Sequence, residues 1–523
     1  MQPEVVEALQ RTNFSVVDGV IVAVYLGLSL LIGIAVKKYA RDMTAYIGAD
    51  RKIGTWLGVA TMLGTEMGLV TVMYNAQKGF AGGFASFHIA LIAGVSTLLI
   101  GLSGFIVVPL REAGVLTIPE YYEKRFDRKT RVLGGVILAF AGILNMGLFL
   151  KVGAMFIVGA TGLSAEGWAL PAVMITLLIL VLVYTALGGM ISVILTDYVQ
   201  FVVMSVGLVV ATVLAITTLG WENIFATVEN LMGEGGFNPV AKDSDFGWSY
   251  VAWMIVTAGL ISCAVWPTAV SRALTMESTA AVKKQYAISS ISFTIRFLIP
   301  MFWGICALVY IVATPEGADL KPLFLPADEG AAPAISNLYA MPVFMGRLLP
   351  PVLLGVVTAA MIAAFMSTHD SYFLCWSSVI TQDIVAPLKK KPFSEAARIR
   401  LTRLIIFVIG AYVLAWGLFY KGGDDIWDYM AVTGAIYFNG ALAVLAGGAY
   451  WKRASRTGAF AALIAGSTAI FGMEPVRKIV APGLSGAQVG LLSVVASFLF
   501  LVVFSLLCPD KERKAASPDP ESP

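Results

Sequence analysis

From Val352 to Ile380 the chain reads VLLGVVTAAMIAAFM, then Ser367-Thr368-His369-Asp370-Ser371, then YFLCWSSVI. The flanks are apolar enough and the stretch long enough for a membrane-spanning helix. A carboxylate at the centre of such a helix costs roughly 2.5–3.5 kcal/mol on insertion scales. Chains that carry one usually use it for ions, protons or substrate. Ser367, Asp370 and Ser371 stand at i, i+3 and i+4 and so share one helix face, with Thr368 beside it.

The rest of the chain agrees with a membrane setting. Of 523 residues, 58% are hydrophobic and 13% charged, against about 25% charged in soluble domains; the mean hydropathy is +0.82. Apolar runs of spanning length recur about thirteen times. Lys and Arg concentrate in alternate loops: Lys37, Lys38, Arg41, Arg51 and Lys52; Arg111 to Arg131; Arg272 to Lys284; Lys389 to Arg403; Lys452 to Arg456. The other loops hold acidic stretches, Glu222–Asp245 and Glu316–Glu329. The positive-inside bias therefore puts the N-terminus outside and the C-terminus inside.

Several function classes are excluded. No basic tract is interleaved with aromatics, so nucleic acid is not expected as a partner. Cys263, Cys306, Cys375 and Cys508 lack paired spacing and read as packing residues. Glu4 and Glu7 give the wrong charge for a signal-peptide start. The spans show no nucleophile–base pair or transition-metal set, so an enzyme is not expected. His88 and His369 read as packing residues.

Five ionisable side chains fall within the spans: Glu66, Lys151, Asp197, Arg296 and Asp370. Their cost in lipid predicts that they face a cavity or one another. Glu66 lies in ATMLGTEMG, residues 60–68, where Gly64 and Gly68 weaken the helix. A second predicted break is Gly259 to Pro267. Breaks in corresponding halves of a membrane protein point to a midplane binding site. Hydroxyl and carbonyl oxygens suit a hard, weakly charged cation, whereas calcium takes six to eight oxygens, several of them carboxylates.

At this point the motifs resemble a family. Tyr184 to Gln200 (YTALGGMISVILTDYVQ) is similar to a segment of the sodium:solute symporters, the family of proline, pantothenate, choline, sialic acid and sodium–glucose carriers. Thr117 to Phe126 (TIPEYYEKRF), Pro267 with Arg272, Ala363 to Ser371 (AAFMSTHDS) and Ser377 to Asp383 (SSVITQD) resemble further motifs of that family, in the same order. The resemblance implies an all-α polytopic membrane protein with the LeuT-like five-plus-five inverted repeat. Residues 1–52 are then a leading helix and loop, 53–219 the first repeat, 220–247 an external loop, 248–451 the second repeat, 452–508 two trailing helices and 509–523 a disordered cytoplasmic tail.

It also implies a sodium site built from the carbonyls of Ala60, Leu63 and Ala364 and the hydroxyls of Ser367 and Thr368. A second sodium site maps to Asp197, Asp370, Ser371 and, shared with the first, Ser367. Two-sodium members have serine where this chain has Asp370; the carboxylate either strengthens cation binding or is a protonated or paired structural group. The proline carriers' aspartate is replaced by Met62. Glu66 matches a position where sugar carriers also have glutamate, and Arg296 a lysine that contacts sugar in a bacterial galactose carrier; the planar fork of Arg296 suits a carboxylate instead, and the two together suit a zwitterion. Tyr74, Ser262 and Trp266 are candidate wall residues. The expected function is sodium-coupled symport of an amino acid, carboxylate or sugar by alternating access, in the cytoplasmic membrane of a bacterium. The rivals are proton coupling through Asp197 and Asp370, or a transporter-like sensor. The expected partners are Na+, a small solute and the bilayer.

Overall fold

The computed structural model describes residues 3–35, 51–163, 167–325, 333–390, 393–420 and 425–510. Lys37, Lys38, Arg41, Lys391, the acidic residues 328–329 and the tail beyond 510 lie outside them. The described chain is helical, with one isolated parallel bridge between Ile53 and Met276. The helices that frame the centre are α1 (Val16–Ala35), α2 (Thr55–Glu66), α3 (Leu69–Gly82), α4 (Phe87–Ser103), α5 (Arg128–Met146), α6 (Phe149–Thr161), α7 (Ala169–Leu219), α8 (Gly247–Met254), α9 (Pro267–Leu274), α10 (Thr279–Ala313), α11 (Leu353–Val379), α12 (Glu395–Phe419), α13 (Ile426–Tyr450), α14 (Arg456–Ser467), α15 (Glu474–Val480) and α16 (Gly486–Leu507).

Among the described residues, nine helical stretches are long and apolar enough to cross a membrane, and α14 with α15, bent by 94°, makes a tenth. Two shorter apolar helices are Val16–Ser29 and Ala169–Val183. The apolar runs expected near Leu177 and Val206 lie on one helical stretch, α7; the sequence between them has no proline to end it. Leu91, Val95, Leu98, Leu99 and Leu102 on α4, and Leu492, Val495 and Leu499 on α16, point outward. In a bilayer that apolar surface meets lipid instead of water.

Both predicted breaks are present. α2 stops at Glu66; Met67 turns out of the helix (φ −97°, ψ 65°) and Gly68 is extended before α3 begins. Gly68 is required here, because a Cβ would run into the Thr368 side chain on α11. The carbonyl of Glu66, freed by the break, accepts from Thr71 Oγ1 at 3.3 Å and from Arg296 at 3.2 Å, as a backbone group at membrane depth requires. After α8 the chain loosens into a π-helical turn, Ile255–Ile261, and turns at Trp266 (ψ 119°) before Pro267 opens α9. Proline suits that first helical position because it has no N–H to leave unsatisfied. α11 passes both breaks without interruption and is buried along most of its length. α3 and α10 approach to backbone contact through Gly79 and Gly304.

Candidate functional site

The polar face of α11 packs against the end of α2. Ser367 Oγ donates to the Gly64 carbonyl at 2.7 Å and lies 3.1 Å from the Ala364 carbonyl; Thr368 Oγ1 lies 3.1 Å from the same Ala364 oxygen and 3.4 Å from the Thr65 carbonyl. Ala364, Ser367 and Thr368 are thus brought together with α2, and the carbonyls that meet the hydroxyls are those of Gly64 and Thr65. The Leu63 carbonyl accepts the Met67 N–H at 2.8 Å, and Ala60 is buried a turn earlier on α2. Two hydroxyls and three carbonyls form an uncharged set of hard oxygens, a donor chemistry that fits a small monovalent cation.

One turn further along α11 the character changes. Asp197, on α7, is fully buried and accepts from Thr61 Oγ1 at 2.6 Å, Thr65 Oγ1 at 3.1 Å and the Arg272 guanidinium at 3.3 Å. Arg272, on α9, donates also to Thr65 Oγ1 at 2.6 Å, Ser371 Oγ at 2.7 Å and Thr61 Oγ1 at 3.1 Å. Ser371 Oγ reaches Asp370 Oδ1 at 3.1 Å, and Asp370 is fully buried. Asp197, Asp370 and Ser371 therefore share one cluster, and a permanently charged guanidinium stands inside it. The other Asp197 oxygen, Oδ1, is buried without a partner among the described residues.

Glu66, Tyr74, Ser262, Trp266 and Arg296 all line one cavity of about 100 Å³. Glu66 and Arg296 form an ion pair at 2.7 Å within its wall. Thr268 donates to the second Glu66 oxygen at 2.8 Å, Arg296 donates to Ser262 Oγ at 2.8 Å, and its guanidinium lies 3.9 Å from the Phe293 ring centroid. Thus the two broken spans and α10 are tied through one neutral pair. Tyr74, Phe149, Trp266, Phe297, Tyr372, Trp427 and Phe438 supply aromatic walls. Asn145 donates to Met430 O and Thr433 Oγ1, both at 2.9 Å, while its Oδ1 is buried without a partner among the described residues.

Beyond the cavity on α3, Lys78 is buried and binds Asp425 at 2.6 Å and Asp428 at 3.3 Å, with its ammonium 5.1 Å from the Tyr250 ring centroid. Tyr74, one turn before Lys78 on α3, and Trp427, next to Asp428, are in edge contact at 4.7 Å. At the opposite end Asp383 accepts from Arg131 and Thr117, both at 2.9 Å. Lys151 is half-buried, with Nζ 3.4 Å from the Tyr420 carbonyl. His369 rests on Phe365, its Nδ1 2.8 Å from the Phe365 carbonyl.

Sequence reading missed Lys78, Asp383 and the place of Arg272 among the buried ions. The cost of a charge in an apolar run was available as a signal for each. Arg272, which the sequence offers as a loop base and a motif residue after Pro267, is instead buried, because it falls at the end of a broken span. Asn145, Tyr372 and Trp427 carry no comparable signal, since an amide or aromatic in a spanning helix is ordinary.

The chain is 26% identical to a sodium/glucose cotransporter 4 of Danio rerio, covering 89% of this chain and 72% of that protein. It is 27% identical to a sodium/mannose cotransporter of Bos taurus (87% and 78%) and 26% identical to a sodium/myo-inositol cotransporter of Homo sapiens (90% and 68%). The fold is similar to that of a Na+-coupled sialic acid symporter in a substrate-bound outward-open state, with a TM-score of 0.75 at 18% identity, covering 95% of this chain and 99% of that one. It is also similar to MhsT bound to L-phenylalanine, with a TM-score of 0.54 at 14% identity, covering 87% and 98%. These likenesses identify the architecture as LeuT-like. The sequence profile of the sodium:solute symporters matches residues 46–466, and the chain belongs to the sodium:solute symporter family, as a multi-pass membrane protein that couples solute transport to Na+.

Proposed function

We infer that the solute is a neutral polyhydroxylated molecule, a sugar or cyclic polyol, held in the cavity between the two broken spans. The observation that carries this is the Glu66–Arg296 pair. Both Glu66 oxygens and both Arg296 terminal nitrogens are committed within the wall, so the cavity presents no net charge to a ligand. A carboxylate or ammonium group entering it would have to break a buried pair, which costs about 3–5 kcal/mol. Aromatic faces suit the C–H faces of a ring, and Asn145 Oδ1 is an acceptor for a hydroxyl. The printed names of the relatives, glucose, mannose and myo-inositol cotransporters, support the same class.

Sodium binds where Ser367 and Thr368 meet the end of α2, with carbonyls drawn from Ala364 and from Ala60, Leu63, Gly64 or Thr65. Replacing the two hydroxyl-to-carbonyl bonds with ion contacts fixes the break at Met67–Gly68. Glu66, beside that break, is thereby held in the cavity wall, which links ion and solute. Coupling requires sodium to bind the outward- and inward-facing states differently; the neutral oxygen set spans α2 and α11, which move apart when one helix bundle rocks against the rest around the midplane site. The Lys78 knot closes the outer side. The N-terminus lies outside and the C-terminus inside the cell membrane, and the protein moves its solute without chemical change.

A thermal-shift screen of the purified protein against sugars, polyols, amino acids and carboxylates, with and without sodium, tests this. A ligand at 100 times its Kd stabilises by about 2.7 kcal/mol. Hexoses or inositols are expected to raise Tm only with sodium present. A shift with an amino acid or carboxylate instead would show that the Glu66–Arg296 pair opens to clamp a charged solute, and would overturn the assignment.

A further inference from the structure

We propose that a hollow at one rim of the membrane domain, distinct from the transport cavity, binds the phosphate headgroup of an anionic phospholipid. The hollow, about 770 Å³, is formed where the short helix Ile118–Arg125, the loop between α13 and α14, and the end of α16 converge. Lys124, Arg125, Lys452, Arg453 and Arg456 line it, against a single carboxylate, Asp510.

The cations divide into two groups. Arg125 is structural: it donates to the carbonyls of Gly448 at 2.9 Å, Trp451 at 3.2 Å and Lys452 at 3.4 Å, closing the C-terminal end of α13. Arg456 is neutralised by Asp510 at 2.9 Å. Lys124 spends one of its three N–H donors on the Ala113 carbonyl at 2.8 Å. The side chains of Lys452 and Arg453 are exposed and have no partner among the described residues. With Arg456 and Asp510 cancelling, the hollow keeps an excess positive charge with donors to spare.

Its apolar flank decides the source of the anion. α16 is the most apolar of the spanning helices, and its last residues, Leu506 and Leu507, are 54% and 72% exposed. Tyr450, the last residue of α13, stacks on Phe105 at 5.6 Å and is itself outward-facing, as aromatic residues are at a membrane interface. The apolar wall ends where the cations begin, so a ligand with acyl chains and a phosphate satisfies both surfaces, while a free anion uses only one. Basic pockets between spanning helices bind anionic headgroups in this way. Ser455 N–H bonds Ser505 Oγ at 3.0 Å, and Gly458 lies too close to Ser505 for a Cβ, so the walls are fixed before any lipid arrives.

Native mass spectrometry of the full chain in detergent, titrated with phosphatidylglycerol or phosphatidylcholine of matched acyl chains, is the test. Phosphatidylglycerol is expected to bind at least tenfold more tightly, and Lys452→Gln with Arg453→Gln to weaken it at least tenfold while leaving phosphatidylcholine unchanged. Lys242→Gln with Lys321→Gln, two exposed bases in other loops, serves as the matched charge control. If the double variant does not fold, the salt dependence of the wild-type preference decides: it should collapse between 50 and 500 mM salt, roughly as the Debye length shrinks below 5 Å. Equal affinity for the two lipids, a preference insensitive to salt, or one retained by the folded double variant would overturn the proposal. So would full displacement by equimolar inorganic phosphate, which would mark a free-anion site.

Discussion

Two oxygen clusters stand one turn apart on α11, and they differ in a single respect, fixed charge. Around Ser367 and Thr368 every oxygen is a hydroxyl or a carbonyl. Around Asp370 and Ser371 two carboxylates and a guanidinium meet. A neutral set trades hydrogen bonds for a passing cation at small cost. A buried ion pair cannot dissociate without stranding a charge, at about 3–5 kcal/mol. The first arrangement suits an ion that must leave on every cycle; the second suits a joint between α2, α7, α9 and α11. Thr65 belongs to both, giving its carbonyl to Thr368 and its hydroxyl to Asp197, Arg272 and Ser371.

The largest expected effect comes from breaking the charged cluster. Arg272→Ala leaves Asp197 and Asp370 buried without the guanidinium and should lower stability by about 3–5 kcal/mol, seen as a large fall in Tm and in folded yield. Arg272→Met combined with Asp197→Leu should recover much of that loss, while transport stays absent. A single variant as stable as the wild type would remove the structural half of the contrast.

The neutral cluster should behave the other way. Ser367→Ala with Thr368→Ala should raise the sodium concentration for half-maximal uptake at least tenfold, about 1.4 kcal/mol, with little change in Tm without sodium. Unchanged sodium dependence in proteoliposomes would remove the ion from this site.

The opening stretch of sequence made the first cluster legible and half of the second. Helical spacing put Ser367, Asp370 and Ser371 on one face, and poor helix formers located the break beside Glu66. The partner carbonyls were harder. Backbone oxygens have no sequence signature, so Gly64 and Thr65 emerged only when the position of the break was known to the residue. Arg272 eluded a count of charges within spans because its span is divided at Trp266. The pairing of Glu66 with Arg296 is likewise tertiary: 230 residues separate them, and each alone looked available to a charged solute.

A subtler contrast concerns Asp370 itself. If the charged cluster is a joint, Asp370→Asn should move sodium half-saturation by no more than about threefold, less than 0.7 kcal/mol, because the neutral set is untouched. A tenfold or larger loss of sodium affinity, or a fall in the Hill coefficient, would make the second cluster an ion site in its own right.

Thr65→Val tests the link between the clusters with nearly constant shape. The carbonyl that faces Thr368 is retained, and only the hydroxyl shared by Asp197, Arg272 and Ser371 is lost. Such a bond to charged groups contributes about 1.5–3 kcal/mol, and part of this is regained as Thr61 still serves both Asp197 and Arg272. The expected result is therefore small: a Tm decrease of a few degrees with a two- to fivefold rise in the sodium requirement. Combining Thr65→Val with Ser367→Ala in a double-mutant cycle separates the cases. Additive effects on sodium half-saturation would mean that the clusters are energetically independent despite sharing a residue. A coupling of 0.5 kcal/mol or more would mean that the geometry of the charged joint sets how tightly the neutral site holds its ion.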